Sequence, residues 1–352
     1  MKAKNFWKGK KVLVVGHTCF HSSWLIIWLL EMGAKVVGYG PATDNKEDNY
    51  VLAKLDEKIK SYIGKVNDKE ALNKVFEVEK PEIVIDFSML LCNENKAFDI
   101  YEEKIMGTLN ILNTIRNSTD TKVGVIVNSD ECYEVKEQLW GYRENDTLGG
   151  YNPYSASLAC SELIIASYRH TYLNMDNYSE HGKAIANVRV GKVIGGGDWS
   201  EESIISSCAK AFVNKEPAVI KCSNNMMPIQ HVLEPIRGII MLVEKMYENP
   251  EEYSETWNFG CEYSSCMHSL EAAEKFKKDF RKCEILELDD NSENYDNTTK
   301  VLDITKAKYK LGWTPKWTID KTISYTADWY KNYKTKDVYA ICKNHIEKYS
   351  LM

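Results

Sequence analysis

The chain has 352 residues, a hydrophobic fraction of 44% and a net charge of -6 spread along its length. That length suits one large domain plus a smaller one, and with no basic block nucleic acid is excluded as an expected partner. The longest apolar run near the start, Trp24 to Leu30, is far too short to span a membrane, and no signal-type segment follows the N-terminal lysines, so the expectation is a cytoplasmic protein with no membrane partner.

In chain order, Lys11 to Gly16 is a short apolar run ending in glycine and predicts a buried parallel strand. Trp24 to Met32 predicts a helix closed by Gly33, and Ala34 to Tyr39 a second strand. Ile83 to Phe87, preceded by Pro81, predicts a later strand, and Tyr101 to Ile115 has helical spacing. Val123 to Val127 predicts the next strand, with Asn128 to Glu131 at its C-terminal end. Tyr154 to Tyr168 reads as a helix and Ala184 to Val190 as a strand, followed by the glycine turn Gly195 to Gly197. Beyond about Gly191 the pattern loosens into short helices and loops. This alternation predicts an α/β fold, a Rossmann-like doubly wound parallel sheet over residues 1–190. Residues 191–352 are expected to form mainly a smaller C-terminal substrate domain, with some segments returning to the first. Ligands of such sheets sit at the C-terminal strand ends, where the turn after Val15 and the segment Asn128 to Glu131 lie.

Ten cysteines are scattered singly. The close pair Cys261 and Cys266 lacks the spacing of a zinc hook, so reduced thiols are expected. His17, His21 and His231 match no ligand spacing either, and no metal is expected.

Several motifs occur in a telling order. Trp7-Lys-Gly-Lys-Lys11 leads into Gly16-His-Thr18, with Phe20 and Ser23-Trp-Leu25 after it, and Met106-Gly-Thr108 follows the middle strands. Ser129-Asp130 precedes Cys132-Tyr133, then come Trp140-Gly-Tyr-Arg-Glu-Asn145, Gly149-Gly-Tyr151 and Pro153-Tyr-Ser155. Val193-Ile-Gly-Gly-Gly-Asp-Trp199, Gln230-His-Val-Leu-Glu-Pro235, Trp257-Asn-Phe-Gly260, Leu311-Gly-Trp313 and Pro315-Lys-Trp317 complete the set. From Phe6 to about Trp317 the chain resembles the CDP-glucose 4,6-dehydratases, of the extended short-chain dehydrogenase/reductase (NAD-dependent epimerase/dehydratase) type. The resemblance implies a nucleotide-sugar substrate, NAD as cofactor, and a homodimer formed through the helices 101–115 and 154–168. It also implies an internal redox cycle. A tyrosine removes the sugar O4 proton while NAD takes the C4 hydride, water leaves across C5 and C6, and the hydride returns to C6. Tyr154 matches the base and Ser129 the hydroxyl that polarises O4. Asp130 and Glu131 match the acid and base of the related dTDP-glucose enzymes; the CDP-glucose enzymes usually carry lysine in place of Glu131.

The dinucleotide contacts depart from that pattern. The phosphate loop, expected as Gly-x-x-Gly-x-x-Gly, reads Gly16-His-Thr18-Cys19-Phe20-His-Ser22, which places a sulfur where phosphate should come close. The Tyr-x-x-x-Lys pair reads Tyr154 to Leu158, so the charge that would lower the phenol from about 10 is absent at that position. Tyr154 is then either a base or a packed aromatic at a helix start. Ser88-Met-Leu90 replaces an Ala-Ala-Gln lining, Lys65 an aspartate at the adenine site and Lys104 a helix asparagine. On the substrate side Met227 replaces an arginine and Lys192 an asparagine. Lys192 is either a point charge for phosphate or a strand-end lysine reaching water. Asp130 and Glu131 are either an active-site pair or a solvated pair at a helix start.

The expectation is that NAD is not bound. Three functions stay open. The first is a nucleotide-sugar-pathway protein that has lost NAD-dependent redox chemistry, binding a nucleotide sugar or related phosphorylated ligand, with Asp130 and Glu131 for redox-free acid/base work. The second is a working CDP-glucose 4,6-dehydratase with unusual cofactor contacts. The third is a non-catalytic partner of an active relative.

Overall fold

The computed structural model describes residues 2–91, 96–136, 138–200, 203–221, 226–280, 283–288 and 300–351. Its centre is a seven-stranded sheet of β1 (Lys11–Val15), β2 (Lys35–Gly40), β3 (Lys60–Ile63), β4 (Ile83–Asp86), β5 (Val123–Ser129), β6 (Ala184–Val190) and β7 (Thr256–Phe259). The spatial order is β7-β6-β5-β4-β1-β2-β3, and every pairing is parallel. β4 and β6 are buried along their whole length, which is why they read as unbroken apolar runs. The order reverses at β1, which lies between β4 and β2. The crevice beyond the C-terminal ends of β1 and β4 is therefore the ligand position of the fold.

Helices cover both faces. They include α1 (Phe20–Glu31), α2 (Lys69–Glu79), α3 (Gly107–Asn117), α4 (Pro153–Thr171), α5 (Leu233–Glu248), α6 (Ile319–Asn332) and α7 (Val338–Ser350). α1 is buried from Ser22 to Leu29. α7 seals its outer side: Tyr339 donates to Glu31 at 2.9 Å, Lys343 pairs with Glu31 at 2.8 Å, and Trp24 stacks on His345. Among the described residues no helix is long and apolar enough to cross a membrane.

Several expected boundaries move, each for a local reason. α1 begins at Phe20 and not Trp24, because Cys19 caps it. α4 begins at Pro153, with Asn152 accepting from the Ser155 N–H and proline in the first turn. The helix expected over 101–115 is three pieces: Ala97–Tyr101, a wider π turn at Glu102–Met106, and α3. The hydroxyls of Thr108 and Ser161 both donate to the Lys104 carbonyl, at 2.7 and 3.2 Å, and draw it from the regular ladder. The region beyond Gly191 is not made of short helices only. α5, α6 and α7 have 16, 14 and 13 residues, and β7 from this region pairs with β6 in the main sheet.

Candidate functional site

The crevice begins at Gly16, which has φ 71 and leaves little room for a side chain. A Cβ there would lie 3.0 Å from the Phe87 carbonyl carbon and the Ser88 nitrogen. The following turn closes on itself. The Cys19 Sγ accepts from the Ser22 N–H at 3.4 Å and sits 3.1 Å from the Ser22 hydroxyl. Ser22 is fully buried and its hydroxyl donates to the Gly16 carbonyl at 2.7 Å. The sulfur is thus turned onto the first turn of α1, on an N–H group that an anion at this helix start would meet. Ser22, which reads as the milder change, is the residue that ties the loop together. Desolvation pushes the Cys19 thiol up. Thr18 donates to the Pro41 carbonyl at 3.0 Å, and Phe20 packs edge-on against His21.

The histidines are separate. His17 contacts Ser61 at 2.6 Å, and its ring lies where a side chain on Gly38 would go. His21 stacks on Phe87, and His231 meets Trp24 and Trp317. Burial lowers His17 and His21 to about 4. Among the described residues no cluster of three or more histidine, cysteine or acidic side chains forms a metal site.

The opposite wall is the end of β4 and the turn Ser88–Leu90. Asp86 is buried, accepts from the Ser88 N–H at 2.8 Å, and is raised to about 6 by desolvation. Lys104, only 2% exposed, donates to the Ser88 carbonyl at 2.6 Å and to that of Leu91. The space left between Gly16, Pro41, Lys65, Ser88 and Leu91 is about 90 Å³, against roughly 300–1,000 Å³ for ordinary small-molecule sites.

Tyr154, in the first turn of α4, donates to the Met89 carbonyl at 3.3 Å. One turn on, Leu158 is fully buried in the core. Behind both lies a polar network. Glu162 and Arg189 form a buried ion pair at 2.9 Å. Asn128 donates to the other Glu162 oxygen at 3.0 Å, and Asn187 donates to the oxygen that Arg189 binds. Arg189 also donates to the Tyr133 hydroxyl at 2.6 Å, which donates to Asn258 at 2.8 Å.

The carboxylate pair sits where β5 ends. Ser129 is its last residue; the hydroxyl donates to Asp130 Oδ1 at 3.0 Å and accepts from the Glu131 N–H at 3.2 Å. Asp130 is 3% exposed, and Oδ2 finds no hydrogen-bond partner among the described residues. Desolvation raises it to about 6; the Glu131 charge acts the same way, and Lys192 and Lys300 oppose it. Glu131 is held by Lys300, whose ammonium lies 2.6 Å from Oε2, while the Ser155 hydroxyl lies 3.5 Å from the same oxygen. Lys300 is a site residue that sequence reasoning misses. It is 169 positions from its partner, in no periodic segment and in no motif. Lys192 is exposed, and its charge reaches Asp130. Met227 lies in a short strand opposite Met267. The structure thus gathers Ser129, Asp130, Glu131, Ser155 and Lys300 at one strand end, with Tyr154 turned to the Met89 carbonyl.

Comparison with known proteins follows the same outline. A chain of Salmonella typhimurium named CDP-glucose 4,6-dehydratase is 35% identical over 350 residues, covering 98% of each chain. Among solved structures, dTDP-glucose 4,6-dehydratase from Bacillus anthracis, in complex with NAD, superposes with a TM-score of 0.75 at 20% identity, covering 93% of this chain and 98% of that one. UDP-glucose 4-epimerase from Thermotoga maritima, with UDP-glucose, gives 0.74 at 18% identity, covering 91% and 98%. With residues 13–326 matching the family profile, the chain belongs to the GDP-mannose 4,6 dehydratase family of extended short-chain dehydrogenase/reductase proteins.

Proposed function

We propose that this chain is a nucleotide-sugar protein of its family that has lost NAD-dependent redox chemistry. In this reading it acts in the cytoplasm on a nucleotide sugar or related phosphorylated ligand, through proton transfer by Asp130 and Glu131. The reading is carried by the crevice over Gly16, where only about 90 Å³ remains. Ser88 and Leu91 line that space, the buried Lys104 ammonium is bonded to both of their carbonyls, and the volume is well below that of an ordinary small-molecule site. The first turn of α1, where an anion would meet free N–H groups, has its Ser22 N–H taken by the Cys19 sulfur. Leu158 offers the ribose no hydrogen bond and Tyr154 no charge. The residues present do not fit NAD.

Proton transfer needs less. Asp130 is a buried carboxyl pushed up to about 6, Glu131 is a partly exposed side chain paired with Lys300, and Ser129 bonds to both residues. Lys192, exposed two residues beyond β6, supports the reading as a point charge available to a phosphate.

The 35% identity over the whole chain favours a second reading, a working CDP-glucose 4,6-dehydratase with unusual cofactor contacts. The exposed apolar side chains Phe98, Met106 and Leu163 support a dimer through the segments around α3 and α4, either of this chain with itself or with an active relative. Native mass spectrometry of the freshly purified protein addresses all of these. We expect a homodimer without bound NAD, and no 4-keto product from CDP-glucose when NAD is added. Near-stoichiometric NAD with dehydratase activity establishes the second reading and ends the first.

A further inference from the structure

We infer that Lys300 is a positioning residue that divides the Asp130–Glu131 pair into an acid and a base for removing water from a sugar that already carries a carbonyl. The inference rests on the redox-free reading above and deepens it. Two adjacent carboxyls in one site serve as acid and base only if their surroundings differ. Here they do. Lys300 is 9% exposed and lies 2.6 Å from Glu131 Oε2. Oε2 also faces the Ser155 hydroxyl at 3.5 Å, so Lys300 and Ser155 both hold the same oxygen of Glu131. Asp130 has no such cation in contact: Oδ1 is satisfied by Ser129, and Oδ2 is buried with no partner among the described residues. A buried carboxyl oxygen left without a partner calls for a hydrogen-bonding group. The charged groups facing Asp130 are Glu131, Lys192 and Lys300, with the Ser129 hydroxyl beside it.

The chemistry balances without an oxidant. Glu131 takes the proton from the carbon next to the carbonyl, and the electron pair moves into the enolate. Asp130 gives its proton to the hydroxyl on the following carbon, the C–O bond breaks, and water leaves. The product is an unsaturated ketone, and the two carboxyls exchange protons with solvent to reset. A carboxylate is too weak a base to deprotonate a sugar carbon that no carbonyl acidifies. The substrate therefore arrives as a keto sugar, and an alcohol oxidation by a separate dehydrogenase must precede this step.

The test uses the full-length protein with Lys300→Met, Lys300→Arg and Asp130→Asn. Infrared titration follows the protonated carboxyl, assigned by its loss in Asp130→Asn, and circular dichroism checks the fold. In the wild type the band should titrate near pH 6. In Lys300→Met the midpoint should rise, because a cation that lowers it has gone, and Lys300→Arg should restore it. An unmoved midpoint in a folded Lys300→Met protein overturns the assignment. In a second arm, each protein meets a CDP-linked 4-keto-6-deoxy sugar in deuterated water, and deuterium at the carbons flanking the carbonyl is read by mass spectrometry. Exchange should fall roughly tenfold or more in Lys300→Met and be largely kept in Lys300→Arg. If the wild type exchanges nothing while the midpoints behave as expected, the keto-sugar substrate is rejected and Lys300 keeps its role on the carboxyl pair.

Discussion

Two polar regions lie within one helix of each other and have fared differently. The Glu162–Arg189 network is buried, ionic and almost fully bonded, and it lies beneath the site. The Gly16 crevice beside it has residues that bond to one another where the family pattern expects contacts to a cofactor. The difference is one of dependence. A buried ion pair cannot lose a partner cheaply, because the charge left behind is stranded in low dielectric. A loop that met a ligand can change, provided that its own side chains satisfy the N–H and carbonyl groups the ligand leaves. Ser22 and Lys104 do this for the carbonyls of Gly16, Ser88 and Leu91.

The strongest way to break this comparison is Arg189→Met. It leaves Glu162 charged and buried, and should cost about 3–5 kcal/mol of unfolding free energy in urea titrations. A loss under about 1 kcal/mol, the usual worth of an exposed pair, would put the network on the same footing as the crevice.

Asp130→Asn gives a smaller effect of the opposite sign. Folding raises Asp130 from 3.8 to about 6, roughly 2 units or ~3 kcal/mol. The raised value means that its contribution is fully present below about pH 4 and is lost as pH rises through 6. At pH 7 the asparagine variant should be more stable than the wild type by up to that amount, and below pH 4 the two should converge. Thermal unfolding at both pH values checks this; an unchanged gap would show that Asp130 is not a strained carboxylate. His17 and His21 act the other way. Their folded values of about 4 lie below the ordinary 6.5, so their contribution is complete above pH 6.5 and is lost as pH falls through 4.

The smallest effect sharpens the crevice side. Ser22→Gly removes the bond to the Gly16 carbonyl and should cost about 1–2 kcal/mol, including the gain in chain entropy. Equilibrium unfolding measures it. No loss would mean that the hydroxyl is incidental and that the loop is held by Gly16 and Cys19 alone.

Much of the sheet was legible because burial on both faces writes itself as an apolar run. Ala184–Val190 falls where the sequence puts it. β3 was not legible, since Lys60–Ile63 is a half-exposed edge strand with no alternation to mark it. The start of α1 was hidden because cysteine is not among the usual capping residues. α6 was obscured by its mixed surface of lysine, threonine and tyrosine, although Ile323, Thr326, Ala327 and Tyr330 recur at helical spacing. The place of Ser129, Asp130 and Glu131 at the C-terminal end of a strand was legible. Lys300 was not, because its meaning comes from a contact across the fold. Lys104 was visible as a departure, but its hold on the two carbonyls of the Ser88–Leu91 segment was not.

The seal of α7 over α1 has a consequence for synthesis. Tyr339 reaches Glu31 across 308 positions, and Trp28 meets Tyr349 edge-on. At roughly 5–20 residues per second, about 15–60 s separate the emergence of the two surfaces from the ribosome. Through that interval the face of α1 that Trp28 and Glu31 turn to α7 lacks its final cover. The growing chain therefore makes one of its most buried helices early and completes its cover late.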